Sequence, residues 1–337
     1  MAYSAMISDG TGDFSSLRVA VLIPCYNEEL TIQPTIAAFQ KSLPTATVYV
    51  YDNNSSDRTV AVANDAGAIV QRETRQGKGH VVRRMFADIE ADIYVLVDGD
   101  ATYDAGDAPK MIVRALEEHL DFVNGARVSE AVEAYRRGHR FGNFVLTELV
   151  RRTFGRQFTD MLSGYKVFSR RFVKSFPSMS RGFEIETELI VHALELRMPC
   201  GEERTAYRER PTGSFSKLRT YRDGVRILSL IGSLIKNERP LQFFGTTGAV
   251  LVFLAVILVI PLAQTYFETG LVPRFPTAIL SVGLVIIGIM SIVVGLVLDM
   301  VTTMRHEMKR LTYLSLPVCG YPHEHRHGHD KDPALLG

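Results

Sequence analysis

The sequence predicts an α/β fold with a largely parallel sheet, followed by two apolar helices long enough to cross a membrane. Three observations carry this expectation. Short apolar runs alternate with helix-patterned stretches between residues 17 and 124. Acidic and amide side chains stand directly after several of those runs. Charge is dense over residues 1–240 and almost vanishes over 241–301. A chain of 337 residues can build one large or two smaller folded units. Its net charge of +1 gives no reason to expect nucleic acid as a partner. Cys25, Cys200 and Cys319 lack metal or redox spacing and suit thiols in a reducing compartment. Residues 1–16 are polar, rich in Ser, Gly and Asp, and read as a disordered, cytoplasmic start without a signal peptide.

Residues 17–24 form the first strand, because Val19, Val21, Leu22 and Ile23 make a nearly continuous apolar run of the kind buried on both faces of a parallel sheet. A helix is expected to begin near Pro24-Cys25-Tyr26-Asn27-Glu28-Glu29 and run to about Ser42. A second strand, 47–51, ends in Asp52-Asn53-Asn54-Ser55-Ser56-Asp57, where Ser56 or Asp57 can cap the helix carrying Val60, Ala61 and Ala63. A third, 68–71, leads to Gly77-Lys78-Gly79 and a helix over 81–89. The fourth, 93–97, runs into Asp98-Gly99-Asp100. Next come a helix over 108–119, a strand over 120–124 ending at Gly125-Ala126-Arg127, a helix over 183–196 and a strand around 206–209.

Ligands of such sheets bind beyond the carboxyl ends of the strands. The loops at 26–28, 52–53 and 98–100 therefore converge on one crevice. Two carboxylates separated by a glycine can hold a hard divalent cation beside a diphosphate; taken alone, Asp-Gly-Asp is also ordinary turn chemistry. Lys78 between two glycines either reaches a phosphate or belongs to a solvated turn. The first strand is not followed by Gly-x-Gly-x-x-Gly, which argues against a dehydrogenase-type dinucleotide site.

Pro24-x-Tyr26-Asn27-Glu28, the acidic loop after the second strand, Gly77-Lys78-Gly79 and Asp98-x-Asp100 resemble, in order and spacing, the inverting GT-A glycosyltransferases of family 2. More narrowly, the chain resembles the dolichol-phosphate mannose synthase type and the bacterial polyprenyl-phosphate glycosyltransferases, over about residues 17–240. The resemblance implies that Pro24, Tyr26, Asn27, Glu28, Asp52 and Asn53 face the base and ribose of a nucleotide diphosphate sugar. It implies that Asp98, Gly99 and Asp100 take the diphosphate through Mg²⁺ or Mn²⁺, and that Arg127 meets phosphate. Asp160-Met161-Leu162-Ser163-Gly164-Tyr165-Lys166 is similar to the family's D-x-x-x-G-F-R segment, which makes Asp160 the base or the orienter of the acceptor. Arg210 and Lys217 lie in a loop similar to R-x-x-G-x-S-K, with one extra residue, and would close over the diphosphate or the lipid phosphate. Two positions depart from the family: Asn53 stands where a second acid is usual, and Thr102, with Asp104 nearby, where the metal loop often has Gln.

Residues 135–156 read either as an amphipathic basic helix resting on anionic headgroups or as a surface helix with a core-facing stripe; its Arg137 and Arg140 join Arg127 as candidates for the acceptor phosphate. Among Glu184, Glu186 and Glu188, acids that also suit a helix dipole, Glu184 is the candidate for contacting sugar hydroxyls. The expected organisation is a GT-A domain over 17–218, an interfacial amphipathic helix over 219–240, spans at 241–264 and 275–301, and a His-rich cytoplasmic tail over 302–337. Lys236 and Arg239 before the first span, and Arg305, Lys309 and Arg310 after the second, place both ends on the cytoplasmic side of the inner membrane.

The expected activity is therefore transfer of one sugar from a UDP- or GDP-sugar to undecaprenyl or dolichyl phosphate, with a homo-oligomer through the hairpin allowed by the resemblance. A processive polysaccharide synthase is disfavoured because the chain has no tryptophan for the Gln-x-x-Arg-Trp motif such enzymes share. A non-catalytic nucleotide-sugar-binding scaffold is the other alternative.

Overall fold

The structure is a computed structural model and describes residues 14–128, 158–177, 182, 184–208, 236 and 239–318. Seven strands form one sheet: β1 (Val19–Cys25), β2 (Thr47–Asp52), β3 (Ile69–Arg72), β4 (Ile93–Leu96), β5 (Phe122–Val128), β6 (Lys166–Ser169) and β7 (Cys200–Ala206). Their order is β3-β2-β1-β4-β6-β5-β7. β1 pairs in parallel with β2 and β4, β2 with β3, and β5 with β7, while β6 runs antiparallel to both of its neighbours. The sheet is α/β and mostly parallel, as the alternating pattern predicts.

Helices cover both faces. α1 (Ile32–Ser42), α2 (Thr59–Asp65) and α4 (Ala108–Glu117) lie on one. Their side chains Ile32, Ile36, Phe39, Ala63, Met111 and Ile112 form a core with Val21, Ile23, Val50, Val95, Val123 and Val167. On the other face α3 (Lys78–Asp88), α5 (Arg170–Ser175) and α6 (Ile185–Glu195) pack over Leu22, Tyr94 and Leu96. Aromatic rings tie that layer together: Phe86 meets Tyr94 and Phe168, and Phe172 meets Phe122, Phe168 and Phe176. Burial of each such side chain contributes about 1.5–3 kcal/mol, so the central strands are fixed by the hydrophobic effect from both sides.

Several boundaries differ from the sequence reading, each for a local reason. α1 starts at Ile32 because the preceding loop is held by the one after β2: Asn27 N donates to Ser55 Oγ and Glu28 N to Thr59 Oγ1, both at 2.8 Å. Asp57 accepts from Thr59 N at 3.0 Å and so serves the start of α2. α3 starts at Lys78, three residues early, directly after Gly77 at φ 133°. β5 continues to Val128, so Gly125, Ala126 and Arg127 lie inside the strand rather than beyond it. β7 is Cys200–Ala206 rather than 206–209, and Tyr207 continues only as a bridge to Tyr103.

Residues Met1–Lys217 with Leu311–Gly337 form one compact unit and Leu218–Arg310 a second. Within the second, α7 (Pro240–Thr269) and most of α8 (Phe275–Leu314) are both long and apolar enough to cross a membrane. They run further than the expected 241–264 and 275–301: α8 has 40 residues, about 60 Å at 1.5 Å per residue, roughly twice a bilayer's hydrocarbon core. Glycines bring the two helices together. A Cβ at Gly248 would lie 2.5 Å from Gly288 O, one at Gly288 would lie 2.9 Å from Gly248 O, and Ser291 Oγ donates to Phe244 O at 2.9 Å. Such close approach through small residues is how helices associate in lipid. The amphipathic segments expected over 135–156 and most of 219–240 lie outside the described residues.

Candidate functional site

Because six strands share one direction and β6 opposes them, the carboxyl ends of β1, β2, β4, β5 and β7 and the amino end of β6 meet along one edge of the sheet. Asp52, Asp98 to Asp100, Arg127, the 160–164 loop and Tyr207 are all at this edge. Pro24 is half-buried at the end of β1, and Tyr26 is 38% exposed beyond it. Asn27, at φ 52°, accepts Ser56 N on its Oδ1 at 2.8 Å, and Glu28 Oε2 accepts from Thr31 Oγ1 at 3.1 Å. Thr31 Oγ1 also donates to Gly99 O at 2.8 Å, which ties the first loop to the Asp-Gly-Asp turn. Asp52 is buried and receives Ser55 N at 3.2 Å on both oxygens.

Asn53 is spent on the neighbouring loop. Its Nδ2 donates to Glu73 O at 3.0 Å and Arg75 O at 2.8 Å, and its Oδ1 accepts Gly77 N at 2.7 Å. An aspartate has no hydrogen to give two carbonyls. The amide that departs from the family pattern thus sets the approach to Lys78.

Asp98 and Asp100 have different surroundings. Asp100 is buried and accepts Thr102 Oγ1 at 2.6 Å and Thr102 N at 3.2 Å, so Thr102 orients it. Asp98 keeps 31% side-chain exposure and meets the Lys78 ammonium at 2.5 Å through Oδ1. The same ammonium is in contact with Glu186 on α6, and both of those side chains are 8% exposed. Burial alone would lower the Lys78 pKa, but the charges of Asp98 and Glu186 outweigh it and hold the group above the ordinary lysine value. Gly99 sits against Cys25, since a Cβ there would be 2.8 Å from its Sγ. Gly164 is closer still to Asp98: a Cβ would fall 2.2 Å from Oδ2.

A second ion pair lies at the other end of the 160–164 loop. Arg127 grips Asp160 through Nε–Oδ2 at 2.6 Å and Nη2–Oδ1 at 2.8 Å, and its guanidinium lies 5.5 Å from the centre of the Tyr207 ring. Burial would raise the Asp160 pKa, but the Arg127 hydrogen bonds and charge outweigh it and hold the carboxyl below the ordinary aspartate value. The loop is fastened from beneath. Glu202 accepts Thr159 N at 2.9 Å, Asn124 Nδ2 donates to Asp160 O at 2.8 Å, and Lys166 Nζ donates to Asn124 Oδ1 at 3.0 Å and Ser163 O at 2.5 Å. Tyr103 OH accepts Gly164 N at 2.7 Å. Lys166 is fully buried, and burial pushes its pKa down to about 8 against the pull of Glu186 and Asp160.

The structure therefore gathers Asp98, Asp100, Lys78, Arg127 and Asp160 along one edge, with the 160–164 loop touching Asp98 at one end and Arg127 at the other. Arg137, Arg140, Arg210 and Lys217 lie outside the described residues. Glu184, favoured by sequence for sugar contact, folds back over Gly182, whereas Glu186 enters the site. Lys78 and Glu186 are 108 residues apart, so no local pattern joins them; the one available signal was the run of acids at the helix start. Among the described residues no three His, Cys, Asp or Glu side chains converge as a ready metal cage. Two carboxylates are nonetheless the donor set that suits Mg²⁺ or Mn²⁺ when substrate phosphates supply further oxygens.

A mostly parallel α/β sheet with acids and cations on its carboxyl edge is an arrangement of GT-A type, and comparison with known proteins identifies the class as nucleotide-sugar-dependent glycosyltransferases. The profile of glycosyl transferase family 2 matches residues 20–176. The glycosyltransferase AglJ of Haloferax volcanii is 32% identical over 299 residues, covering 88% of this chain and 98% of AglJ. The dolichyl-phosphate hexose transferase of the same organism is 25% identical over 221 residues, or 66% of this chain and 95% of that protein. In fold, the chain is similar to Mycobacterium tuberculosis glucosyl-3-phosphoglycerate synthase crystallised with Mn²⁺ and UDP-glucose, with a TM-score of 0.56 at 21% identity over 66% of this chain and 79% of the other. The chain belongs to glycosyl transferase family 2 and is a glycosyltransferase.

Proposed function

We propose that this enzyme transfers a single sugar, with inversion, from a UDP- or GDP-sugar to the phosphate of a membrane polyprenol, using Mg²⁺ or Mn²⁺. The observation that carries the reading is the joining, in one chain, of the Asp98–Asp100 edge to two helices of membrane length. The names of the Haloferax dolichyl-phosphate hexose transferase and of the Mn²⁺- and UDP-glucose-bound mycobacterial structure support the acceptor, donor and metal classes.

Asp98 and Asp100 would hold the metal, which offsets charge growing on the leaving diphosphate. Pro24, Tyr26, Asn27, Glu28 and Asp52 form the wall that takes base and ribose, with Asn53 bracing it. Lys78, Arg210 and Lys217 supply positive charge to the diphosphate. Arg127, with Arg137 and Arg140, takes the acceptor phosphate. That phosphate is a monoester with a second pKa near about 6, so it arrives largely dianionic and needs no strong base. Asp160 then acts by fixing the Arg127 fork. Lys236 and Arg239 before α7, with Arg305, Lys309 and Arg310 in the last turns of α8, support a cytoplasmic position for the catalytic unit and both chain ends.

Membranes containing the protein, supplied with radiolabelled UDP- and GDP-sugars and polyprenyl phosphate, should give one labelled lipid with a single sugar. The Asp100→Ala protein, folded as judged by melting, should give none. A polymeric product, or no lipid product with any donor, overturns the reading.

A further inference from the structure

The amino edge of the sheet, away from the proposed donor site, carries a buried acid that the reaction leaves unused. Asp121 stands directly before β5 and is buried. Its Oδ1 accepts Ser169 Oγ at 2.6 Å and is in contact with Arg171 Nε, and its Oδ2 accepts Arg171 Nη2 at 2.6 Å. These bonds join the start of β5 to the start of α5 and already pair the charge. A further donor nevertheless arrives from 192 residues away: Tyr313 OH donates to Asp121 Oδ2 at 2.6 Å. The Tyr313 ring covers the other ion, with the Arg171 guanidinium 4.7 Å from its centre. Burial and the Asp121 charge hold the phenol above the ordinary tyrosine value, so it remains a donor.

Tyr313 is in the last turn of α8 and is 9% exposed, whereas Leu311 and Leu314 beside it are 68% and 64% exposed. Among the described residues after Val301 it is the only buried one. The end of α8 is therefore attached through one side chain. That attachment has a particular place in the chain's path. Met1–Lys217 and Leu311–Gly337 make one compact unit, and Leu218–Arg310, which carries the apolar length of α7 and α8, leaves it and returns.

We propose that Tyr313 is a positioning residue, an anchor that with Asp121 and Arg171 fixes the end of α8 to the catalytic unit, so that the unit meets a lipid-borne acceptor in a restricted range of orientations. The inference rests on the proposed polyprenyl phosphate acceptor. A unit joined to its membrane segment by the chain at Lys217 alone can swivel, and only a fraction of its orientations then admit a phosphate confined to the bilayer surface. The second attachment removes most of that freedom, as a second link does for any tethered pair. Losing it raises the apparent dissociation constant of the acceptor in inverse proportion to the competent fraction. A ligand free in water reaches the site in every orientation, so the donor is indifferent to the anchor.

The test is transfer by the full-length protein reconstituted in phosphatidylethanolamine–phosphatidylglycerol vesicles, with the sugar nucleotide that wild type accepts. Two acceptors are compared: a long polyprenyl phosphate in the bilayer and a short, water-soluble prenyl phosphate. Tyr313→Ala should raise the KM for the bilayer acceptor by about tenfold or more, the scale of a lost hydrogen bond to a charged group. The KM for the soluble acceptor and for the donor should stay within about twofold of wild type. Tyr313→Phe keeps the ring over Arg171 and should give a smaller rise, again on the bilayer acceptor alone. Hydrogen exchange at residues 311–316 should quicken in both variants, a readout independent of turnover. A KM rise shared equally by both acceptors would mark a merely structural contact and overturns the proposal, as does an unchanged KM for the bilayer acceptor. If Tyr313→Ala does not fold, Tyr313→Phe decides by the same comparison. Wild type that gives no lipid product from any sugar nucleotide would instead overturn the acceptor reading beneath the proposal, and unchanged exchange at 311–316 in Tyr313→Phe would then overturn the anchor itself.

Discussion

Replacing Asp160 with asparagine keeps its shape and removes its charge. The carboxylate receives Arg127 Nε at 2.6 Å, Arg127 Nη2 at 2.8 Å, Arg127 N at 3.3 Å and Leu162 N at 3.3 Å. Asparagine offers one acceptor oxygen, and in either orientation its NH₂ group faces donors. Arg127 is left without its countercharge. Removing one partner of a buried pair costs about 3–5 kcal/mol. Both side chains retain some exposure, 14% for Arg127 and 11% for Asp160, which places the expectation at the lower end, about 3 kcal/mol. Urea unfolding of the detergent-solubilised protein measures it. The Asp160 pKa is lowered in the fold, so its contribution is complete above the unfolded aspartate value near about 4 and is lost as pH falls through the folded value. The gap between wild type and Asp160→Asn should therefore close in acid. Transfer should slow while the acid limb of the pH–rate profile stays in place, because the acceptor carries its own charge. A loss under about 1 kcal/mol would refute the Arg127 geometry, and disappearance of the acid limb would make Asp160 the base.

Gly164→Ala places a methyl carbon 2.2 Å from Asp98 Oδ2; transfer should fall by about tenfold or more, as expected when a reacting geometry shifts by an ångström, with little change in melting temperature. Asn53→Asp removes the two donors that hold Glu73 O and Arg75 O, so the KM for the sugar nucleotide should rise with kcat less affected. Lys166, with a pKa of about 8 in the fold, binds fewer protons than its unfolded counterpart up to about pH 10.4. Stability of wild type relative to Lys166→Met should then increase with pH, by about 1.5 kcal/mol between about pH 8 and 9.5 in urea titrations. Gly288→Leu meets the Gly248 carbonyl and Val252, and should release the α7–α8 contact, read as a loss of disulfide trapping between cysteines introduced on the two helices.

The central strands β1 and β4 were legible because apolar side chains fill them on both faces, whereas β6, buried throughout but carrying Lys166 and Ser169, was not. Val21, Leu22 and Ile23, with Tyr94, Val95 and Leu96, are almost wholly inaccessible, and their sequence says so. β7 was misplaced because it is a polar edge: its Glu202 and Glu203 serve Thr159 and Arg114 rather than a core. The reach of β5 was missed because Gly125-Ala126-Arg127 reads as a turn until β7 pairs beside it. In the site, local motifs such as Asp98-Gly99-Asp100 could be found by eye. Partnerships across the fold could not. The pairing of Glu186 with Lys78 joins positions 108 residues apart, and the departure at Asn53 gained a reason only once two carbonyls 20 and 22 residues away were in place.

The two ion pairs raise a common question, since a site proposed to receive two phosphates holds its described cations Lys78 and Arg127 already neutralised. Lys78 is shared by Asp98 and Glu186, and Arg127 is engaged by Asp160. Burying an unpaired ammonium or guanidinium costs several kcal/mol, so the resting enzyme can keep these groups dry only by supplying anions of its own. Ligand binding is then an exchange of partners rather than the filling of an empty field. The two exchanges differ, however. Arg127 can admit an acceptor phosphate while keeping Asp160, because a guanidinium has five N–H donors and Asp160 engages two of them from the side chain. Lys78 has three donors, two of them met by Asp98 and Glu186, and its side chain is almost buried between them, so a diphosphate gains full access to it only by displacing the more exposed Asp98. The donor half of the reaction should therefore be sensitive to metal and to the charge at position 186, and the acceptor half to the fork geometry set by Asp160. Donor KM measured in Glu186→Gln and acceptor KM measured in Asp160→Asn should separate the two, and a shift of both constants in either variant would mean that the clusters act as one.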